Sequence, residues 1–147
     1  MRNHLTRLAV VLILVLGLGM PSAWALPDGV SATDETAIHD VITRQLEAFR
    51  RDDAAQAYAF AGPTIRTLFP TPEIFIEMVR RGYPPVYRSR QVEFGPLAMR
   101  DGELVQTVEL VGPDGSSATA LYSLVRDPSG TWVISGCSLV PSTRVTT

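Results

Sequence analysis

The chain has 147 residues, of which 46% are hydrophobic, with a mean hydropathy of +0.13 and a formal net charge of −2. This length allows one domain with its own core and excludes a multi-domain enzyme. A single cysteine and ordinary glycine and proline contents exclude a disulfide scaffold, a collagen and a disordered chain. All the basic residues are arginines that form no continuous stripe, so nucleic acid is excluded as a partner.

The N-terminal segment has the layout of a secretory signal. Two arginines precede an apolar run over residues 8–20, which Pro21 and the small-residue pattern Ala23-Trp24-Ala25 follow. We expect cleavage between Ala25 and Leu26. The apolar run is shorter than the roughly 20 residues that a membrane span needs. The sequence therefore predicts export to the periplasm or the medium, with no stable membrane anchor after cleavage.

The next part of the chain has helical patterns. Apolar residues recur at helical spacing over residues 31–51, with Ser31 or Thr33 as the N-cap. A short alanine-rich helix follows Asp52-Asp53, and residues 64–69 form one helical turn. Thr71-Pro72-Glu73 begins a third helix, which Gly82 ends.

The remainder of the chain predicts strands at residues 86–94, 97–99, 103–111, 117–126 and 131–139. Turn signals begin at Asp101, Asp114 and Asp127, a regular spacing with short connections that favours antiparallel neighbours. Both faces of the strands are partly apolar, so helices cover one face and a second copy of the chain is a candidate for the other. Helices followed by strands predict an α+β fold. The organisation that we expect is a signal over 1–25, a linker over 26–33, one domain over 34–140 and a tail over 141–147.

Four motifs carry a resemblance to a known superfamily, and they cover nearly all of residues 36–139. The chain resembles the NTF2-like (cystatin-like) superfamily and, within it, a family of small exported bacterial proteins known only as a domain of unknown function. The motifs are Gln45-x3-Phe49-x2-Asp52-Asp53, Ala57-Tyr58-x2-Ala61-x-Pro63-x-Ile65-Arg66, Phe75-x2-Met78-Val79-x3-Tyr83 and Gly130-x-Trp132-x-Ile134-x-Gly136-Cys137-x-Leu139. The resemblance implies N-terminal helices packed on a curved antiparallel sheet that forms a cone, and it implies an export compartment but no reaction.

Enzymes on that fold place a carboxylate or histidine base beside tyrosine or aspartate donors inside the cone, and the sequence offers few such groups. His39 and Asp40 are adjacent on a helix and do not face each other. His39 also lies off the apolar stripe, so we interpret it as a solvated residue. Asp52-Asp53 is interpreted as a helix cap. We therefore predict no catalytic residue.

Five side chains with polar tips are the candidates for ligand binding inside the cone, because a buried tyrosine hydroxyl needs a partner and a ligand can provide it. They are Tyr58, Tyr83, Tyr87, Gln106 and Tyr122. No metal site or cofactor is predicted, since one cysteine and, after cleavage, one histidine cannot supply three or four zinc ligands. Cys137 is interpreted as a small buried residue of a strand.

These observations lead to one expected function and two alternatives. We expect a non-catalytic exported domain that binds a small apolar molecule or a partner protein through its cone or sheet face. The first alternative is an isomerase- or cyclase-like enzyme, which requires a carboxylate buried beside Tyr58, Tyr83 or Tyr122. The second is a structural homodimer joined through the open face of the sheet.

Overall fold

The computed structural model describes residues 24–142, in which helices precede strands. The helices are α1 (Ala32–Arg50), α2 (Ala54–Ala59), α3 (Pro63–Leu68), α4 (Pro72–Gly82) and α5 (Pro84–Tyr87). The strands are β1 (Gln91–Arg100), β2 (Glu103–Val111), β3 (Ser117–Arg126) and β4 (Trp132–Pro141). This order confirms the α+β prediction.

The strands form one antiparallel sheet in the order β1-β2-β3-β4, and it is not closed into a barrel. The turns that join them lie where the sequence predicts them. Asp101 and Gly102 both have positive φ, 50° and 80°, which is the conformation of the two-residue turn that matches strand twist.

Two predicted strands are corrected. Residues 86–94 are not one strand, because Val86 and Tyr87 belong to α5. Pro84 begins this helix, and its fixed φ suits the first turn of a helix. The predicted strand at 97–99 is the second half of β1, which continues through the irregular pair Gly95-Pro96.

The core lies between the helices and one face of the sheet, which we call the inner face. The predicted apolar stripe of α1 is buried there, and Ser31 caps the helix in a capping box with Asp34. On β2 the inner face carries Leu104, Val108 and Leu110, all buried. Their alternation with outward residues is the period of a strand that is covered on one side.

The layer of short helices is fixed to β4 through backbone contacts at Gly62. Its amide donates to the carbonyl of Ile134 at 2.7 Å, and the amide of Ile134 donates to the carbonyl of Phe60 at 2.9 Å. A Cβ at Gly62 would lie 3.2 Å from the carbonyl oxygen of Ile134 and 3.1 Å from the Val133 side chain. Glycine therefore allows α3 to approach the strand closely.

The predicted signal segment lies outside the described residues except for its last two, Trp24 and Ala25. Leu26, which follows the expected cleavage point, packs against the core. Within residues 24–142, no helix has the length and apolar character that crossing a bilayer requires.

Candidate functional site

A pocket of about 250 Å³ lies between α3, α4, α5 and the inner face of β3 and β4. Its walls are mainly aromatic and aliphatic, and no arginine, histidine, aspartate or glutamate lines it among the described residues. The lining residues are Gln45, Phe49, Ile65, Leu68, Phe69, Phe75, Met78, Val79, Tyr83, Val86, Tyr122, Ile134, Ser135, Gly136 and Cys137. Leu68 is 67% exposed, which places it at the edge of the pocket that faces solvent.

A β-bulge in β4 brings a serine to this pocket. Leu124 pairs with Ile134 and Ser123 pairs with Gly136, so Ser135 is an extra residue on β4 with no partner residue on β3. A bulge of this kind redirects a side chain relative to the alternation of the strand. The hydroxyl of Ser135 is buried and has no hydrogen-bond partner among residues 24–142.

A second buried hydroxyl belongs to Tyr122, which lies on β3 and is 1% exposed; it makes no hydrogen bond of regular geometry and has only a weak hydrogen-bonding interaction with the Cys137 thiol. Burial raises the pKa of this phenol well above its usual value, and the neighbouring Cys137 adds to the effect. Cys137 is the residue opposite Tyr122 on β4, and burial raises the pKa of its thiol to about 12. Both groups therefore stay protonated at neutral pH, and Cys137 is a poor nucleophile.

Of the five predicted ligand-binding residues, Tyr83 and Tyr122 line the pocket and the other three have protein partners elsewhere. The hydroxyl of Tyr58 donates to the carbonyl of Phe69 at 2.7 Å. The hydroxyl of Tyr87 donates to the Asp52 carboxylate. Gln106 is the residue opposite Tyr122 on β2, but neither it nor the two tyrosines line the pocket.

Gln106 is buried at a second bulge, where Gly95 and Pro96 of β1 stand opposite Thr107 alone. Its Nε2 donates to the carbonyls of Gly95 and Thr107, each at 2.8 Å. Its Oε1 lies 3.1 Å from Nε2 of His39. The side chain therefore satisfies the backbone groups that the bulge leaves unpaired.

The interpretation of His39 as a solvated residue is only partly right, because 30% of its side chain is exposed and the rest contacts the sheet. Its ring stacks on Phe94 with the centroids 4.0 Å apart, and it contacts Gln106 as described above. Phe94 lies on β1 and Gln106 on β2, so a residue beside the apolar stripe of α1 still reaches the sheet through its side chain. Its contacts hold the helix on the sheet, away from the pocket.

The carboxylates lie at the surface of the described part of the chain. None is buried and none lines the pocket. Asp53 caps α2 by accepting from the amide of Gln56, as predicted. Asp52 instead accepts from Tyr87 and Arg88, and the Tyr87 hydrogen bond is the main cause that lowers its pKa. No group of three His, Cys, Asp or Glu side chains in residues 24–142 is placed to hold a metal ion.

The sequence interpretation missed Ser135, whose hydroxyl is the polar group that the bulge adds to the pocket. A signal for it exists, since Gly136 follows directly and a glycine inside a strand often marks a bulge. Strand alternation alone does not show on which residue the extra position falls.

A cluster of helices on an open antiparallel sheet, with an apolar pocket between the two layers, defines an α+β domain with a candidate ligand site. A family model described as Domain of unknown function (DUF4864) matches residues 31–147. The chain belongs to this family. No curated protein and no solved structure matches the chain.

Proposed function

We propose that the chain is a binding protein that holds a small, largely apolar molecule in the pocket beneath α4. The observation that carries this proposal is a pair of buried hydroxyls, those of Tyr122 and Ser135, in an otherwise apolar pocket. A buried hydroxyl without a hydrogen bond costs about 1–3 kcal/mol. A bound molecule that satisfies both groups explains why the protein carries this cost.

The size of the pocket limits the molecule. An engineered apolar cavity of about 150 Å³ holds benzene. A pocket of about 250 Å³ therefore suits a molecule of roughly ten non-hydrogen atoms. This is smaller than the drug-sized ligands of common binding clefts.

The chemistry of the lining favours binding over reaction. The isomerase- or cyclase-like alternative needs a carboxylate buried beside a tyrosine of the pocket, and the described residues place none there. The thiol of Cys137, whose pKa is raised to about 12, is not activated for attack. We therefore propose a binding role and no catalytic step.

Titration with isopropylbenzene, followed by two-dimensional ¹H–¹⁵N NMR, tests the proposal. We expect shifts confined to the amides around the pocket, including those of Val79 and Tyr122. Ser135→Leu fills the pocket and is expected to weaken this binding at least tenfold. Ser138→Leu is the matched control, because Ser138 is an exposed residue of the same strand. Equal shifts in both variants, or no saturable shifts in the wild type, would contradict a ligand in this pocket.

Two further parts of the proposal concern fold family and compartment. The helices-then-sheet order and the pocket between the layers support membership of the NTF2-like superfamily, with the pocket as the interior of the cone. The charged, apolar and small-residue regions of residues 1–25 support export. Mass spectrometry of the exported protein tests the second point, since cleavage yields a chain that begins at Leu26. An exported chain that begins at Met1 would contradict it.

A second copy of the chain stays a predicted partner for the outer face of the sheet, opposite the helices. This face carries half-buried Leu121 and the exposed side chains of Val125 and Val140. It also carries the carboxylate of Glu109, which accepts from the hydroxyl of Thr119 at 2.9 Å. Light scattering over a range of concentrations tests the dimer, and a monomer at the highest concentration counts against it.

A further inference from the structure

We propose that the ligand is a neutral molecule with one hydrogen-bond acceptor, such as a carbonyl oxygen, held by Tyr122 and Ser135, and an apolar remainder in contact with α3 and α4. This inference rests on the proposed function and names the class of molecule that the same pocket takes. It follows from three properties of the lining, which are its lack of charge, the hydrogens that its polar groups offer and the placement of those groups.

The first property is the lack of charge. No side chain that ionises at neutral pH lines the pocket within residues 24–142. A carboxylate or ammonium group that enters such a pocket loses its water and gains no ionic partner, which is a large penalty. The pocket therefore selects against ions and favours neutral molecules.

The second property is the kind of polar group. Tyr122 and Ser135 each carry an O–H hydrogen; neither hydroxyl makes a hydrogen bond of regular geometry within the protein, and Tyr122 has only the Cys137 thiol beside it. A phenol that stays protonated keeps one hydrogen to donate. Gln45, another polar lining residue, already donates one amide hydrogen to the carbonyl of Ala57. The side-chain donors that remain at the pocket are the two hydroxyls and the second amide hydrogen of Gln45, and an acceptor oxygen is their natural partner.

The third property is where the hydroxyls lie. Tyr122 and Ser135 belong to adjacent strands at the floor of the pocket, whereas Phe69, Phe75 and Val79 form the opposite wall. The polar end of the molecule thus faces the sheet and its apolar end faces the helices. Ser135 lies on the pocket side of the sheet because it is the extra residue of the β4 bulge. The pocket therefore has the Ser135 hydroxyl as a second donor because β4 departs from regular alternation.

Three probes with the same number of non-hydrogen atoms test the inference, namely acetophenone, isopropylbenzene and benzoate. Acetophenone has the acceptor, isopropylbenzene has a similar shape without it, and benzoate carries a charge. Because their hydration differs, the two neutral probes are each compared between the wild type and variants of the protein rather than with one another; only benzoate is compared directly with acetophenone, on the wild type. Dissociation constants are measured by NMR titration of the full chain.

Tyr122→Phe and Ser135→Ala are each expected to weaken acetophenone binding about fivefold, which corresponds to one net hydrogen bond. Both variants are expected to leave isopropylbenzene binding unchanged or slightly tighter. Tyr58→Phe and Ser138→Ala are the matched controls. Tyr58 already has a carbonyl partner and Ser138 is exposed, so neither variant is expected to change the binding of either neutral probe. Benzoate is expected to bind at least tenfold more weakly than acetophenone to the wild type.

The outcomes separate the two proposals. If isopropylbenzene binds but acetophenone binding is the same in the wild type and in both variants, water satisfies the hydroxyls and the acceptor inference is wrong. Benzoate binding as tight as that of acetophenone contradicts the neutral class. If neither neutral probe binds in the pocket, the proposed function itself fails, and this inference fails with it. Thermal unfolding of each variant checks that a lost affinity is not a lost fold.

Discussion

The sheet has two β-bulges, and they differ in how their polar groups are satisfied. At the β1 bulge, Gln106 bonds the carbonyls of Gly95 and Thr107 and contacts His39. At the β4 bulge, Ser135 is directed into an apolar pocket where its hydroxyl has no protein partner. Each bulge still has a buried hydroxyl without a protein partner among residues 24–142, that of Thr107 at the β1 bulge and that of Ser135 at the β4 bulge, and of these two residues only Ser135 lines the apolar pocket beneath α4.

The polar side chains at the two bulges therefore have different surroundings. A bulge costs ladder hydrogen bonds wherever it occurs, and a fold that keeps it must recover them. At the β1 bulge a buried glutamine donates to two backbone carbonyls, while the Thr107 hydroxyl stays without a partner. The β4 bulge brings the Ser135 hydroxyl to the pocket that Tyr122 also lines, and we propose that a ligand satisfies both groups.

The largest expected effect is at the β1 bulge. Gln106→Met keeps the approximate volume of the side chain but removes the donors for two backbone carbonyls and the partner of His39. We expect a loss of about 3 kcal/mol in the free energy of unfolding, measured in urea. Gln91→Met, at an exposed position of the neighbouring strand β1, is the control. A loss below about 1 kcal/mol, the value of a single net hydrogen bond, would show that the carbonyls of this bulge are satisfied without the glutamine.

A smaller loss is expected for a tyrosine that has its partner. Tyr58→Phe removes the hydroxyl that donates to the Phe69 carbonyl at 2.7 Å. The expected cost is about 1 kcal/mol in the free energy of unfolding. Tyr83→Phe, at a half-buried tyrosine of the pocket, is the control. No change in Tyr58→Phe would mean that water replaces the hydroxyl at no cost.

The opposite sign is expected for Tyr122→Phe in the absence of ligand. This change removes a buried hydroxyl that has no partner, so the free energy of unfolding is expected to stay equal or rise by up to about 1 kcal/mol. The same urea titration measures it. A loss as large as that of Tyr58→Phe would break the comparison, because it would show that the Tyr122 hydroxyl is satisfied within the protein.

The smallest effect concerns the anchor at the start of the strand that carries the open bulge. Asp34 accepts from the backbone amide of Ser31, from the Trp132 indole and from Arg126, which lowers its pKa from 3.8 to about 2. Because the folded-state pKa is the lower one, its stabilisation is present above about pH 4 and is lost as the pH falls through about 2.

The free energy of unfolding of the wild type and of Asp34→Asn, measured between pH 2 and pH 6, checks this sign. The two proteins are expected to differ at pH 6, and the difference is expected to shrink as the pH falls to 2, where Asp34 is protonated in the unfolded state and about half protonated in the folded state. Asp40→Asn, at an exposed residue of the same helix, is the control. A constant difference across the range would show that the carboxylate acts through its shape rather than its charge.

Local patterns were enough to predict much of the fold. Thr71 and Pro72 begin α4 as expected, since a cap and a proline act within a single turn of helix. The turn at Asp101-Gly102 is likewise a property of two adjacent residues. The helix at Pro84–Tyr87 was missed, because the proline pair reads equally well as the end of one helix and as the start of another.

The candidate site was only partly predictable. Tyr83 and Tyr122 were expected to contact a ligand, and both line the pocket. Tyr58, Tyr87 and Gln106 were proposed for the same reason, namely that their side chains end in a polar group. Each of them has a protein partner that lies 11 or more positions away in the chain. Residue type indicates that a buried polar tip needs a partner, and it does not indicate which group provides it.

The sequence by itself determined the α+β order, the caps and the turns of this protein, because these depend on neighbouring residues. Tertiary structure alone decided which hydroxyls have partners and on which side of the sheet Ser135 lies. The reason is the register between β3 and β4, where one extra residue reverses the alternation of the side chains that follow. Register is a relation between two strands, and it is set only when the strands pair.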